Sequence, residues 1–256
     1  MRRNKTGGRR TGEAANGSGG PGGLSTYNTA VCLSALFESR IVAAEPLLKA
    51  RRFLAESQLQ GDDSMAGGFG YGKVHRRRHA DLSNTSYALD AMRRTESLEE
   101  FRTDGKKVDV NWEKAIAYVT GLQQQSGGAA YTEDSAQAGT TTNASGKVSL
   151  MAYGSMSYAA VLSMSHAKLT RSDPRVRNAL EYCRKYWSVE ENPGMGNQGL
   201  FYYYDIMSRA LSVSGVDDLG GHEWKKELAA KLIAIQKEDG SWSNENNRFW
   251  EGDEVL

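Results

Sequence analysis

Past residue 23 the chain alternates two kinds of helical segment. One kind is almost free of charge: Ser25 to Phe37 carries no ionisable group except Tyr27 and Cys32, Leu82 to Met92 holds one acid, and Tyr153 to Met164 holds no charged residue. A helix that is apolar or small all round is buried on every side, so these segments predict inner helices. The other kind repeats its apolar residues at helical spacing, as in Trp112, Ile116 and Val119, or Trp224, Leu228, Leu232 and Ile235. Lys, Arg and Glu fill the positions between, which predicts one wet face.

The inner helices are expected near residues 25–38, 82–94, 154–168 and 200–214, and the outer ones near 45–59, 111–124, 173–187 and 222–236. Asn111 before Trp112, and Asp173 before Pro174, read as helix caps. Glycine-rich connectors separate the two kinds: Gly67-Gly68-Phe69, Gly127-Gly128-Ala129, Gly199-Leu200-Phe201 and Asp239-Gly240-Ser241-Trp242. A recurring helix pair marks a repeat architecture in which neighbours complete one another's core. Because one helix of each pair is buried on both sides, a closed double ring fits better than an open solenoid. The expected fold is therefore an all-α, α/α toroid with concentric inner and outer helices. The chain begins on an inner helix without its outer partner and stops where a fifth should start, so the ring is expected to be incomplete at both ends.

The 256 residues suffice for one domain, and 32 Lys and Arg against 31 Asp and Glu call for no polyanionic partner such as nucleic acid. Residues 1–23 combine Gly, Ser and Asn with Arg2, Arg3, Lys5, Arg9 and Arg10 and almost no apolar side chains, which predicts a disordered basic tail ahead of a single domain over 24–256. No apolar run reaches membrane-spanning length, and the start lacks the core of a secretory signal, so a cytoplasmic location is expected. Cys32 and Cys183 read as two buried thiols.

Leu232 to Trp242, LIAIQKEDGSW, is similar to the Gln-x-x-Asp-Gly-x-Trp repeat of the squalene cyclase and protein prenyltransferase superfamily, with weaker copies at Gln58 to Phe69 and Gln123 to Tyr131. In such a turn the Gln can close the helix end, the Gly permits the bend and the aromatic ring packs on the neighbouring repeat. DLSNTSYAL from Asp81, AGTTT from Ala138, YGSMSYA from Tyr153, ENPGMGNQGLFYYYD from Glu191 and NENNRFWEGDEVL from Asn244 resemble a bacterial branch of prenyltransferase and squalene oxidase repeat proteins. The resemblance implies a toroid with a central apolar cavity and an association with isoprenoid chemistry.

Class II cyclases of that superfamily protonate an alkene or epoxide with the middle aspartate of Asp-x-Asp-Asp-Thr. Here Asp81-Leu82-Ser83-Asn84-Thr85 keeps the first Asp and the Thr, but the acid corresponds to Ser83, and a serine hydroxyl cannot protonate an alkene. The remaining catalytic candidates are Asp81, which also reads as a helix cap, and Asp205, with Asp90 a further acid. Asp205 stands beside three tyrosines in an inner helix, where a buried carboxylate needs a partner or a raised pKa. The Asp, Cys and His zinc ligands of the protein prenyltransferases are missing, and positive charge between His75 and His79 repels a cation, so no metal or cofactor is expected. Arg76 and Arg78 suit a diphosphate. Tyr202, Tyr203 and Tyr204, with Tyr87, Tyr153 and Tyr158 in other inner helices, suit the lining of a polyene cavity or a core with satisfied hydroxyls. The function expected is an isoprenoid-related enzyme or enzyme relative that takes an isoprenoid or other lipid-like small molecule. The alternatives are a non-catalytic toroid for a lipid or protein, and a carbohydrate-active toroid, which needs a carboxylate pair such as Asp81 with Asp205.

Overall fold

The computed structural model describes residues 23–72, 78–249 and 251–252. Its helices are α1 (Ser25–Ser39), α2 (Ala44–Ser57), α3 (Leu82–Arg94), α4 (Trp112–Gly121), α5 (Gly154–His166), α6 (Pro174–Lys185), α7 (Leu200–Val213) and α8 (Trp224–Ala234). Each end lies within three residues of its expected place, because the boundary residues do what their chemistry announces. Asn111 Oδ1 accepts the Lys114 N–H at 2.9 Å, and Asp173 Oδ1 accepts that of Arg175 at 2.9 Å.

The inner helices pack in sequence, α1 on α3, α3 on α5 and α5 on α7, and α2, α4 and α6 back them. Trp224 and Leu228 bring α8 into the same core as Val176 and Cys183 of α6. This double layer is the all-α toroid. At its centre α5 is buried at every residue except Ser165. Serines survive in that dry helix because Ser157 and Ser163 donate back to the carbonyls of Tyr153 and Ala159, both at 2.8 Å.

α1 corrects the expectation of an inner helix buried all round. Val31 is 38 % exposed and Leu36 is exposed too, while Ala30 and Leu33 are buried. Among the described residues α1 packs on α2 and α3, and its other side stays open. The two thiols divide accordingly: Cys183 is buried, whereas Cys32 is exposed.

The first repeats are joined by a side-chain amide at the ends of α2 and α4. Gln58 Nε2 donates to the carbonyls of Gly67 and Asn111, both at 3.0 Å, while its Oε1 accepts the Asn111 N–H at 2.7 Å. Gln123 Nε2 likewise donates to Gly127 O at 2.7 Å and to Arg175 O at 2.9 Å. In the third turn the indole N–H of Trp187 takes this part, donating to Glu227 of α8 at 2.7 Å. The end of one outer helix thus grips the start of the next. Glycine is required beside the grip: Gly67 and Gly127 both have φ of 90°, and a Cβ would stand 2.1 Å from Lys114 O and 2.4 Å from Asn178 O respectively.

The inner layer is tied in the same direction. Thr26 N–H donates to Tyr71 O at 3.0 Å, Leu82 N–H to Tyr131 O at 3.0 Å and Gly154 N–H to Pro193 O at 2.8 Å, so each inner helix starts on the connector of the following repeat. Two features lie outside the periodicity. A hairpin of β1 (Thr140–Thr142) and β2 (Val148–Leu150), antiparallel with Thr141 opposite Ser149, interrupts the connector between α4 and α5. Fully buried Arg51 of α2 bonds Glu99 at 2.7 Å, Thr95 at 2.7 Å and the carbonyl of Met92 at 2.6 Å, fastening α2 to the end of α3.

Gly67→Ala is expected to cost about 3 kcal/mol or more in urea unfolding, since it adds backbone strain to a clash with fixed backbone. Gly146→Ala, at φ of 79° but facing open space, should cost only about 1 kcal/mol.

Candidate functional site

The first turns of the inner helices carry a cluster of hydroxyl and carboxyl groups. Tyr27 of α1 meets Tyr87 of α3 edge to face at 4.8 Å between ring centres, and Tyr87 lies 6.4 Å from Tyr202 of α7. Three cross-links join α3 to α7. Tyr202 donates to Ser83 Oγ at 2.9 Å, Tyr87 donates to Asp205 Oδ2 at 3.0 Å, and Arg209 pairs with Asp90. Residues 83, 87 and 90 share one face of α3, and 202, 205 and 209 share one face of α7, by helical spacing. The result is a polar ladder spanning two helices that both pack on α5.

A second group sits beside the start of α3. Asp81 is fully buried; its Oδ1 accepts the Asn84 N–H and its Oδ2 accepts Asn84 Nδ2, both at 2.8 Å. His79 Nε2 lies 3.4 Å from Asp81 Oδ2, and the imidazole stacks on Tyr71 at 5.4 Å. Tyr71 and Tyr131 share a hydrogen bond between hydroxyls at 2.7 Å, and Tyr153 donates to Gln137 at 3.2 Å.

The electrostatics follow from burial and pairing. Burial raises the pKa of Tyr87, Tyr153 and Tyr202, so each keeps its proton and serves as a donor near neutrality. Burial would also raise Asp90, but the His166 hydrogen bond together with Arg209 and Arg94 overrides it and lowers the pKa to about 2. Asp90 is therefore ionised at neutral pH and supplies no proton. The Asp81 carboxylate raises the pKa of His79 above its ordinary 6.5, outweighing the desolvation that lowers it.

The structure places the sequence candidates unevenly. Asp81, Tyr87, Tyr153 and Tyr202 belong to the two groups at the inner-helix starts. Asp205 corrects one expectation, because its side chain is 48 % exposed rather than buried, although it has partners in Tyr87 and Arg209. Tyr203 and Tyr204 point elsewhere, donating to the carbonyls of Ser188 at 2.8 Å and Val189 at 2.6 Å, and Tyr158 packs on Tyr203 at 5.8 Å. Arg78 is held by Gln60 O and by Asp63 at 3.1 Å. His75, Arg76 and Arg77 lie outside the described residues. Among the described residues no three His, Cys, Asp or Glu side chains are placed to hold a metal, and no helix is long and apolar enough to cross a membrane.

Several further members of the site carry a signal in the sequence. Tyr71 and Tyr131 each stand four residues beyond the first glycine of their connector, and Arg209 stands one helical turn beyond Asp205. Equal spacing in two connectors groups the tyrosines.

The family described as squalene-hopene cyclase C-terminal domain matches residues 25–255. Among curated proteins no sequence matches the chain.

Two titrations of opposite sign check the geometry. The depressed pKa of Asp90 makes its contribution to stability complete above the ordinary 3.8 and lost as pH falls toward about 2, so Arg209→Met should raise the acid-unfolding midpoint followed by circular dichroism. The raised pKa of His79 contributes stability below pH 6.5 that is lost as pH rises through the elevated value. In NMR titrations the His79 imidazole should titrate above 6.5 in the wild type and fall in Asp81→Asn.

Proposed function

Since the chain belongs to the family of squalene-hopene cyclase C-terminal domains, we propose that it binds an isoprenoid or similarly flexible lipid-like molecule against the tyrosines at the inner-helix starts. In this reading no cyclisation begins by proton transfer from the aspartate motif.

The observation that carries the reading is what the motif residues do. Ser83 stands at the acid's position and accepts a hydrogen bond from Tyr202. Asp81 has an acceptor bond on each oxygen. Thr85 accepts the Phe69 N–H at 2.9 Å and donates to Asp81 O at 2.7 Å, so it locks the helix start to its connector. The residues that survive from the motif are thus engaged in holding α3 in place, and none presents a labile proton to a double bond. What favours a bound ligand is the rim beside them: half-buried Tyr27 and Tyr202 flank buried Tyr87 and combine aromatic rings with hydroxyl ends, next to the half-exposed Asp205. Such a surface suits an isoprenoid with a polar end, its chain on the rings and its head at the ladder.

Geranylgeraniol and geranylgeranyl diphosphate should each be tried in thermal unfolding. Ligand at a hundredfold excess over Kd adds about 2.7 kcal/mol to the folded state, which a melting curve resolves easily. Tyr27→Ala, at a half-buried ring outside the cross-links between α3 and α7, is expected to reduce the shift while the unliganded fold persists. Absence of a shift with every polyprenyl ligand would overturn the binding, and a cyclised product detected by mass spectrometry after incubation with squalene would overturn the loss of proton-initiated chemistry.

A further inference from the structure

Given the isoprenoid reading above, on which this step rests, we propose that the polar end of the bound molecule is a neutral hydroxyl that donates to Asp205 and accepts from Tyr27. The site then takes an isoprenoid alcohol in preference to an isoprenyl diphosphate. Two hydrogen-bonding positions of the rim are left open. Asp205 Oδ2 accepts from the Tyr87 hydroxyl at 3.0 Å and from Arg209 at 3.3 Å, which leaves Oδ1 without a partner among the described residues. The side chain is 48 % exposed, so that oxygen can be reached. Tyr27 is half-buried, and its hydroxyl likewise has no partner among the described residues. Its neighbours are occupied, Tyr87 on Asp205 and Tyr202 on Ser83. The two open groups converge on the same place. The Tyr27 ring meets Tyr87 at 4.8 Å between centres, Tyr87 carries its own hydroxyl to Asp205, and Tyr27 and Asp205 act together on the titration of both Tyr87 and Tyr202.

A phenol offers a donor, and a carboxylate oxygen offers an acceptor. A hydroxyl satisfies both at once, since it donates one hydrogen bond and accepts another. Charge narrows the choice further. A diphosphate presents acceptor oxygens to Asp205 and meets a charge of its own sign there. A cationic head meets Arg209, which pairs with the same carboxylate and lies over the Tyr87 ring at 4.8 Å from its centre. Nor is Arg209 available to a phosphate, because releasing it would leave the buried Asp90 short of a partner. Arg78, which the sequence offered to a diphosphate, is occupied by Gln60 O and Asp63. The rim therefore shows a ligand an ion pair that is neutral as a whole, with its open oxygen outward. Asp205 is on this view a specificity-determining residue, which selects the head group by requiring a proton donor without charge.

Geranylgeraniol, its methyl ether and geranylgeranyl diphosphate share one chain and differ at the head, and their Kd values follow from melting curves of the full chain at rising ligand concentration. The ether can still accept from Tyr27 but has no hydrogen for Asp205. Wild-type protein should bind the alcohol about tenfold more tightly than the ether, the size expected of one hydrogen bond to a charged group. It should also bind the alcohol more tightly than the diphosphate. Asp205→Ala should bind alcohol and ether equally, and Tyr27→Phe, which keeps the ring, should weaken both by about threefold. An ether or a diphosphate that binds the wild type as tightly as the alcohol does would overturn the hydroxyl head and leave the isoprenoid reading standing. A preference for the alcohol that survives in Asp205→Ala, or no weakening in Tyr27→Phe, would overturn it too. If none of the three ligands binds, both readings fall. The ligand comparison on the wild type decides the matter even where a variant fails to fold.

Discussion

The structure rests on a buried amide that has to satisfy two carbonyls in different repeats. Gln58 and Gln123 each spend their donors on the glycine of their own turn and on the first residues of the next outer helix. A displaced helix would orphan a buried polar group, at a cost of about 1–3 kcal/mol. The neighbouring glycine removes the remaining slack, because the adjoining backbone passes where a side chain would be. Outer helices are thus indexed one to another, and the inner helices inherit that indexing through the N–H groups they donate to the next connector. Only with such fixed spacing can Ser83, Tyr87 and Asp90 fall opposite Tyr202, Asp205 and Arg209.

How much of this was legible in the chain depends on whether an effect is local. Charge-poor and amphipathic segments, caps and glycine turns are local, and they located the helices closely. The burial of α1 was not local: its sequence resembles α5 in lacking charge, but the number of neighbours it meets depends on its position in the array. Asp205 shows the same limit, since the pattern marked a helix as inner without telling which of its faces looks onto another helix. Arg51 is the converse case, an ion on an outer helix that reads as solvent-facing until the end of α3 closes over it. The tyrosine run at 202–204 divides for a related reason, because successive residues on a helix point about 100° apart. Tyr202 joins the site, while Tyr203 and Tyr204 brace the loop after α6.

The head of α3 shows side chains of reactive type used as structural fasteners. Ser83 accepts a hydrogen bond from Tyr202, Asp81 is a helix cap, and Thr85 stitches a turn. Charge gathers at the other end of the ladder, where the Asp90 carboxylate meets His166, Arg94 and Arg209. A buried cluster of this composition favours a particular alignment of α3, α5 and α7 more than it favours stability as such.

The hairpin of β1 and β2 has a consequence for how such a domain diversifies. Its connector is clamped at one end by Gln123 and at the other by Tyr153 at the head of α5, so the intervening stretch can grow or shrink without disturbing any helix. Since Gln137 within that stretch touches Tyr153, the insertion overhangs the tyrosine rim. New loop sequence spliced in there would change what overhangs Tyr153 and leave the helices as they are, much as an awning is exchanged over a doorway whose frame is left standing.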